Sequence, residues 1–367
     1  MATDLRPASD HLLETVRTPP VSIAPMMEKT DRHYRYFMRL ITRHTLLYSE
    51  MITTGAIVHG DRDHLLGFDP EEHPISLQLG GDDPDELERA IRIADEYGYD
   101  EYNLNVGCPS DRVQNANFGA CLMARPSQVR DLVSAMRAAT DRPVTVKHRI
   151  GIDGRESYDE LRAFVEEVAR AEPDRFTVHA RIAILAGLSP KENRSVPPLR
   201  YEDVYRLKRE LPHLQIEING HVGSTEEMRG HLEHVDGVMI GRAAYDNPWL
   251  LAEVDERFFG DASAPRVCRG DVVEGMIPYV ERWTRAGWPP RNVIRHMLGL
   301  FAFCPGTRRF KQMLSGPMPA PGDAEAAIAL LRSAVAHMRP EVLSGPVVSL
   351  AGGPGEAESS YEPTSRA

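Results

Sequence analysis

The sequence predicts an α/β protein, a (β/α)8 TIM barrel followed by a small all-helical C-terminal domain. Short β-rich apolar runs alternate with helix-patterned segments eight times between residues 21 and 260. Several runs are almost continuously apolar, as strands buried on both faces should be. Beyond residue 260, helix patterns continue without strands. Eight repeats of this kind fit a closed barrel, and the change of pattern marks a second unit.

The predicted strands are short and regularly spaced. They are Val21–Met26, Leu46–Ile52, Ile75–Leu79, Glu101–Val106, Val144–His148, Phe176–His179, Gln215–Asn219 and Gly237–Ile240. The helices that follow them are Asp31–Thr42, Pro84–Tyr97, Ser127–Ala139, Tyr158–Ala171, Tyr201–Leu211, Thr225–His234 and Pro248–Phe259. Leu87, Ile91 and Ala94 share one face of the second helix, and Asp82 or Asp83 can cap it.

Some segments lack such a pattern. We expect Thr53–His73 to be a loop without a strong helix. An open, doubly wound sheet is the competing architecture, but no Gly-x-Gly-x-x-Gly follows the first strand, so a dinucleotide-binding start is unsupported.

Four regions follow from these patterns. Residues 1–20 read as a loose leader, 21–260 as the barrel, 261–340 as the helical domain and 341–367 as a disordered tail rich in Pro, Gly, Ser and Glu. The helical domain should contain helices Gly270–Ala286, Pro290–Phe301 and Asp323–Met338.

The composition is that of a soluble globular protein, with 42% hydrophobic and 26% charged residues. No apolar run approaches the ~20 residues that cross a membrane, and the N-terminus has no signal-peptide pattern. The four cysteines form no Cys-x-x-Cys pair and are too sparse for a disulfide framework. We therefore expect a reduced, cytoplasmic protein with no membrane association.

Charge is unevenly distributed along the chain. The net charge of −11 argues mildly against a nucleic-acid partner, but binding depends on local patches. The basic segment, residues 282–311, contains no Asp or Glu. Its seven cations are Arg282, Arg285, Arg291, Arg295, Arg308, Arg309 and Lys311. Either a solvated helix face or a binding surface accounts for such a segment.

Polar groups follow many of the predicted strands, where barrel active sites form. Strands seven and eight end in Asn219-Gly220-His221 and Gly241-Arg242. Glycine turns at these two ends are typical of a phosphate site, to which Arg242 adds charge. The pattern therefore favours a phosphate-bearing cofactor.

A flavin suits the remaining strand ends. Lys147 can serve the N1–C2=O edge of the ring, where negative charge grows on reduction, with Gln78 at the polar edge and His179 nearby. Pro25, Met26 and Met27 could lie against the flat ring.

Cys108 follows the fourth strand, where a substrate stacked on such a ring would lie. Cysteine thiols are mostly protonated at neutral pH, so this residue can act as a general acid. An inert small residue is the alternative, although the flanking Gly107 and Pro109 indicate an exposed, rigid turn. Cys121 lies in an apolar run and is assigned to the core.

A metal site is the other interpretation of the His content. His59, Asp61, Asp63 and His64 cluster, but their spacing matches no zinc or calcium pattern, so no metal is predicted.

The segment Asn105-Val106-Gly107-Cys108-Pro109-Ser110 resembles the active-site loop of the tRNA-dihydrouridine synthases. Three further stretches resemble other motifs of that family. They are Ala24-Pro25-Met26-Met27, Lys147 followed by Arg149-Ile150-Gly151, and His179-Ala180-Arg181. The stretches 187–194, 298–301 and 305–309 resemble its A-type bacterial subfamily.

The resemblance implies FMN-dependent reduction of tRNA D-loop uridines at positions 20 and 20a, with NADPH as reductant. It implies that hydride passes from reduced FMN to C6 of the uracil and that Cys108 protonates C5. It assigns the substrate tRNA to Asn105, Arg181, Lys191, Arg194, Arg308 and Lys311. No stable protein partner is expected.

The chain departs from the family pattern at several positions. His221 replaces a usual glycine, Ile182 replaces a usual basic residue, and Phe303-Cys304 is unusual, with Cys304 expected to be buried. Two other functions stay open: an FMN barrel acting on a free pyrimidine, similar to dihydroorotate dehydrogenase, and a tRNA-binding protein without catalysis.

Overall fold

A ring of parallel strands forms the centre of the molecule. The computed structural model describes residues 18–263 and 267–345. The strands are β1 Val21–Ile23, β2 Leu47–Tyr48, β3 Ile52–Thr53, β4 Ile75–Gly80, β5 Glu101–Val106, β6 Val144–Arg149, β7 Arg175–His179, β8 Ile216–Asn219 and β9 Gly237–Ile240. Their order is β1-β9-β8-β7-β6-β5-β4-β2, and a parallel bridge between Ser22 and Leu46 joins the two ends. The predicted barrel is confirmed.

The second predicted strand, Leu46–Ile52, is divided into β2 and β3. Both halves pair with β4, but Ser49 interrupts the ladder between them. Its hydroxyl accepts the Gln78 N–H at 3.0 Å and donates to the Glu50 carbonyl at 2.7 Å. The Ser49 N–H still donates to the Ser76 carbonyl of β4 at 2.9 Å, so a side chain replaces the backbone only as the acceptor of the Gln78 N–H.

Eleven helices accompany the barrel strands in the described residues. They are α1 Arg32–Arg39, α2 Thr54–His59, α3 Arg62–Leu66, α4 Pro84–Asp95, α5 Asp111–Asn115, α6 Pro126–Ala139, α7 Tyr158–Ala169, α8 Tyr201–Glu210, α9 Thr225–Leu232, α10 Arg242–Asp246 and α11 Val254–Phe259. Asp31 and Asp83 cap α1 and α4, while Ser157 and Ser224 form capping boxes at α7 and α9.

The C-terminal part contains helices and no strand in its described residues. Its helices are α12 Arg269–Arg285, α13 Pro290–Ile294, α14 Thr307–Ser315, α15 Ala324–Val335 and α16 Pro340–Ser344. Short 3-10 turns occur at Pro70–Glu72, Gly119–Ala124, Glu192–Arg194, Pro248–Leu251 and Arg295–Gly299.

Several predicted boundaries are wrong. Thr53–His73 holds α2, α3 and a 3-10 turn, which are too short to show apolar periodicity; Asp61 caps α3 through the His64 N–H. The predicted helix Pro290–Phe301 becomes 3-10 after Ile294, and α14 was not predicted. The predicted tail starts too early, since α16 runs to Ser344. Most of the leader, residues 1–17, and the tail after 345 lie outside the described residues.

The C-terminal helices are fixed to the barrel beside the β1–α1 connection. Asp31, the cap of α1, accepts a hydrogen bond from Arg295 at 2.6 Å and lies 3.0 Å from His296 Nε2. Tyr36 and Tyr279 stack with their ring centroids 3.9 Å apart. The 3-10 turn at Arg295–Gly299 therefore borders the carboxyl end of the barrel. Among the described residues, no helix is both long and apolar enough to cross a membrane.

The lower part of the barrel interior is charged but internally paired. Arg175, at the start of β7, lies 2.6 Å from Glu101 and 3.6 Å from Glu217. All three residues are buried, and both carboxylates also accept hydroxyl hydrogen bonds. We call these three residues the lower layer.

Candidate active site

A second polar group, the upper layer, lies at the carboxyl ends of β6, β7 and β8. It consists of Lys147, His179 and Asn219. Lys147 Nζ donates to Asn219 Oδ1 at 3.2 Å, and Asn219 Nδ2 donates to the Met239 carbonyl at 2.8 Å. The His179 ring makes no hydrogen bond within the described part of the chain. The upper layer therefore keeps donors and acceptors for a ligand.

The upper layer is electrostatically unsatisfied. Burial, and to a smaller extent nearby Arg149, lower the pKa of Lys147 to about 8, while Glu217 and Cys108 oppose this shift. Burial likewise moves the pKa of His179 well below its usual value, reinforced by Arg149 and Lys147. Lys147 has one uncharged hydrogen-bond partner, and the neighbouring His179 is an uncharged imidazole. This pair suits the edge of a ligand on which negative charge develops.

Gln78 on β4 and Asn105 on β5 support the turn that carries Cys108. Asn105 Nδ2 donates to Gln78 Oε1 at 2.8 Å, and Gln78 Nε2 donates to Asn103 Oδ1 at 2.8 Å. Asn105 Oδ1 accepts the N–H groups of Gly107 at 3.1 Å and Cys108 at 2.9 Å. The side-chain amides of Gln78 and Asn105 thus use most of their hydrogen-bonding capacity within the protein. The bonds that Asn105 accepts from Gly107 and Cys108 hold the Cys108 turn in place.

The Cys108 turn is also fixed from its other side. The Cys108 carbonyl accepts the Ala120 N–H at 2.9 Å. A Cβ on Gly119, which has φ +74°, would lie 2.6 Å from that carbonyl, so the approach requires glycine. Cys108 is partly exposed, and its Sγ lies 3.5 Å from the Ser110 hydroxyl. Its thiol is therefore accessible on a fixed turn.

The turns for which a phosphate site was predicted follow β8 and β9. Gly220 has φ +138° and His221 has φ +54°, so the turn tolerates a histidine in the left-handed region, at a cost of roughly 1 kcal/mol. A Cβ on Gly241 would meet open space, and Arg242 is exposed beside it. Gly220 is buried and its carbonyl accepts the Tyr201 hydroxyl at 2.6 Å, so the exposed part of the first turn begins at His221.

The segment after β1 borders the same end of the barrel. Pro25 and Met26 are half-buried, whereas Met27 is 56% exposed. Met26 packs against Ala24, Tyr48 and Met239, which are apolar residues of the interior. Exposed apolar side chains at this edge can contact a flat ring.

The residues assigned to tRNA fall into two groups. Lys191 and Arg194 are exposed on the β7–α8 connection, beside its 3-10 turn. Arg181 is only 7% exposed, and its guanidinium donates to the carbonyls of Ser195 and Pro197. The expected tRNA contact of Arg181 is thus corrected to support of this connection.

The basic segment is not a uniform surface. Arg282, Arg285 and Arg295 are paired with Asp69, Glu281 and Asp31. In contrast, Arg308 and Lys311 on α14 are exposed and form no ion pair or side-chain hydrogen bond within residues 18–263 and 267–345. Arg291 on α13 also lacks a carboxylate partner in the described residues, but its guanidinium donates to the Gly316 carbonyl at 2.7 Å. The cations of the segment without any partner there are thus Arg308 and Lys311 on α14.

The other two cysteine predictions are wrong. Cys121 and Cys304 are partly exposed rather than buried. Cys121 Sγ donates to the Phe118 carbonyl at 3.1 Å. Phe303, beside Cys304, is 80% exposed with φ +62°.

Two residues in contact with the Cys108 turn were not predicted as site residues, namely Arg149 and Gln114. Arg149 could have been found from its position two residues after Lys147, whereas nothing in the sequence distinguishes Gln114 from a surface glutamine. Among the described residues, which include His59, Asp61, Asp63 and His64, no group of three or more His, Cys, Asp and Glu side chains is arranged to hold a metal ion.

The family model described as dihydrouridine synthase matches residues 22–333. The chain belongs to the dihydrouridine synthase family. Members of this family are flavin-dependent oxidoreductases that use NAD(P)H, and the protein is an enzyme of this class.

Several relatives match this chain over most of their length. The protein named tRNA-dihydrouridine(20/20a) synthase from Synechocystis sp. is 58% identical over 296 residues, covering 81% of this chain and 88% of the relative. The protein of the same name from Pseudomonas aeruginosa is 56% identical, covering 80% of this chain and 88% of the relative. The one from Vibrio parahaemolyticus is 52% identical, covering 88% of this chain and 98% of the relative.

Proposed function

We propose that this enzyme reduces the C5=C6 bond of tRNA D-loop uridines at positions 20 and 20a to 5,6-dihydrouridine, with FMN bound, NADPH as reductant and Cys108 as proton donor. The observation that carries the proposal is the juxtaposition of a fixed, accessible Cys108 with an upper layer whose cation lacks an anionic partner. The family membership and the names of the relatives support it.

The residues present fit a flavin mononucleotide. Lys147, with two ammonium hydrogens unused, and His179 suit the N1–C2=O edge, and Gln78 retains one amide hydrogen for the ring. The phosphate end of the flavin mononucleotide would be held by Asn219, Gly220, His221, Gly241 and Arg242. Pro25, Met26 and Met27 would lie along the ring.

When bound and reduced by NADPH, FMN supplies the hydride that is added to C6 of the uracil. Cys108 gives its proton to C5, so the product gains one hydride and one proton. The thiolate that remains is faced by Lys147, Arg149 and Arg194, whose charges interact favourably with it. Holding the base between the ring and this thiol is mainly an orientation effect.

A base within folded tRNA must leave its stack to reach this site, and loop bases do so at lower cost than duplex bases. We propose that Lys191 and Arg194 at the barrel, with Arg308 and Lys311 on α14, hold the backbone of the tRNA while Asn105 borders the target base. In this proposal residues 21–260 form the flavin domain and 261–340 the tRNA domain of a cytoplasmic enzyme. Recognition would depend mainly on shape and phosphate contacts.

A spectroscopic titration tests this function. The purified protein should show a flavin spectrum that bleaches with NADPH under anaerobic conditions and recovers when an unmodified tRNA transcript is added. A protein that bleaches but responds only to a free pyrimidine would contradict the tRNA substrate. A colourless protein that binds tRNA but cannot be reconstituted with FMN would contradict the flavin site.

A further inference from the structure

Two side chains each bridge the same pair of loops. The acid loop, residues 107–110, carries Cys108, and the β7–α8 loop, residues 180–200, carries Lys191 and Arg194. Arg149 donates from Nε to the Gly107 carbonyl at 2.9 Å and from Nη1 to the carbonyls of Ile182 at 2.9 Å and Asn193 at 3.0 Å. Gln114 Nε2 donates to the carbonyls of Pro109 at 2.8 Å and Leu185 at 3.0 Å.

The two bridges enclose Cys108. Their acceptors in the acid loop are Gly107 and Pro109, the residues on either side of it. A displacement of the β7–α8 loop would therefore be transmitted to both flanks of the cysteine. Arg149 is only 3% exposed, and its guanidinium hydrogen bonds go to backbone carbonyls. Burying the Arg149 charge without a carboxylate partner costs folding free energy, which indicates that the residue has a specific role.

The β7–α8 loop is itself held together around Asn193. Its Oδ1 accepts the Ile184 N–H at 2.8 Å, and its Nδ2 donates to the carbonyls of Ile184 at 2.9 Å and Leu188 at 3.2 Å. Asn193 is fully buried. Lys191 and Arg194 flank this residue, so a ligand that contacts them contacts a braced segment tied to the acid loop.

We infer that Arg149 and Gln114 are positioning residues that couple contact of tRNA with the β7–α8 loop to the placement of the Cys108 thiol. This inference rests on the proposed function, in which Cys108 is the proton donor and Lys191 contacts the tRNA. The turn is already formed without tRNA, so docking on the β7–α8 loop would adjust the placement of the thiol through the residues on either side of it.

The test is an anaerobic single-turnover measurement of how fast saturating tRNA transcript reoxidises the prereduced flavin. Gln114→Met keeps the side-chain length but removes both hydrogen bonds. It should lower this rate about tenfold, while flavin content, the rate of reduction by NADPH and the Kd for tRNA stay within about twofold. Gln128→Met is the matched control, because Gln128 Nε2 donates to the Asp82 carbonyl at 2.9 Å away from both loops.

Coupling is tested by a double-mutant cycle with Lys191→Ala. If the two residues act on the same placement, Gln114→Met should slow reoxidation less than about threefold in the Lys191→Ala background. The coupling would be overturned if the two substitutions had multiplicative effects on the reoxidation rate. It would also be overturned if Gln114→Met reoxidised at the same rate as Gln128→Met. Arg149→Lys, which keeps the charge and loses the fork, provides a second cycle with the same criteria.

Two reference variants separate this inference from the function on which it rests. Wild-type reoxidation in Cys108→Ala and Lys191→Ala would contradict the proposed roles of those residues and, with them, the coupling. Slow reoxidation in both, with a multiplicative cycle for Gln114, would contradict the coupling alone.

Discussion

Two cations lie inside the same barrel, yet their environments differ. Burial opposes the charge of Arg175, but the nearby Glu101, Tyr48 and Glu217 outweigh it and raise its pKa well above the usual value. Lys147 lies further along the barrel with only a neutral amide as partner, and burial lowers its pKa to about 8. Both carboxylates of the lower layer are neutralised by Arg175, although Arg175 Nε has no hydrogen-bond partner among the described residues. The upper layer holds a cation without a carboxylate partner. This difference fits a structural role for Arg175 and the proposed ligand-binding role of Lys147.

The largest effect on stability is expected when the lower layer loses its cation. Arg175→Met leaves Glu101 and Glu217 buried without a counter-charge, which should reduce the free energy of unfolding by about 3–5 kcal/mol. Urea denaturation followed by circular dichroism measures this change. An unchanged denaturation midpoint would contradict the structural role of the layer.

Replacing the upper cation should have the opposite effect on stability. Lys147→Met removes a buried charge that lacks an anionic partner, so the flavin-free protein should become more stable, on the order of 1–3 kcal/mol. The same variant should lose most flavin-dependent turnover. A destabilised Lys147→Met protein would show that this amine is structural, and the distinction between the layers would fail.

The pH dependence of stability sharpens this comparison. The folded pKa of Lys147 is about 8 and its ordinary value is 10.5. Below pH 8 both folded and unfolded states carry the proton, and the destabilisation is complete. Above pH 8 the folded amine loses its proton first, so the destabilisation decreases until about pH 10.5.

Since other groups titrate in this range, the measurable quantity is the difference between wild type and Lys147→Met. The advantage of the variant in the free energy of unfolding should shrink from pH 8 upward. An advantage that is constant over this range would contradict the assigned pKa.

The smallest effect is expected on the exposed surface of α14. Arg308→Ala should weaken tRNA binding roughly threefold to tenfold and reduce the slope of log affinity against log salt by about 1. Arg285→Ala is the matched control, because Arg285 is similarly exposed but paired with Glu281 at 2.7 Å. Equal losses in both variants, measured by fluorescence anisotropy, would contradict the assignment of the surface to α14.

The sequence was sufficient for the barrel because its strands are buried on both faces and therefore read as apolar runs. It failed at Thr53–His73, where α2 and α3 depend on caps and packing rather than periodicity. The lower layer was missed, although the charged residues Glu101, Arg175 and Glu217 inside otherwise apolar strands were a visible signal.

Among the site residues, sequence position predicted which groups follow the strands, including Lys147, His179 and Cys108. It could not predict which cations of the basic segment are neutralised, because Asp31 and Asp69 are distant in the chain from Arg295 and Arg282. For the same reason the sequence led to a predicted tRNA contact for Arg181. In the folded chain, the Arg181 guanidinium donates to the Ser195 carbonyl instead.

The central claim is that the thiol of Cys108 protonates a uracil held at the upper layer. The most direct measurement is anaerobic reoxidation of the reduced flavin of Cys108→Ala by tRNA, with Cys121→Ala as control. We predict that Cys108→Ala retains flavin, reduction by NADPH and tRNA binding but reoxidises about 100-fold more slowly or worse, as expected for loss of a general acid. Reoxidation at the rate of the Cys121→Ala control would contradict the account.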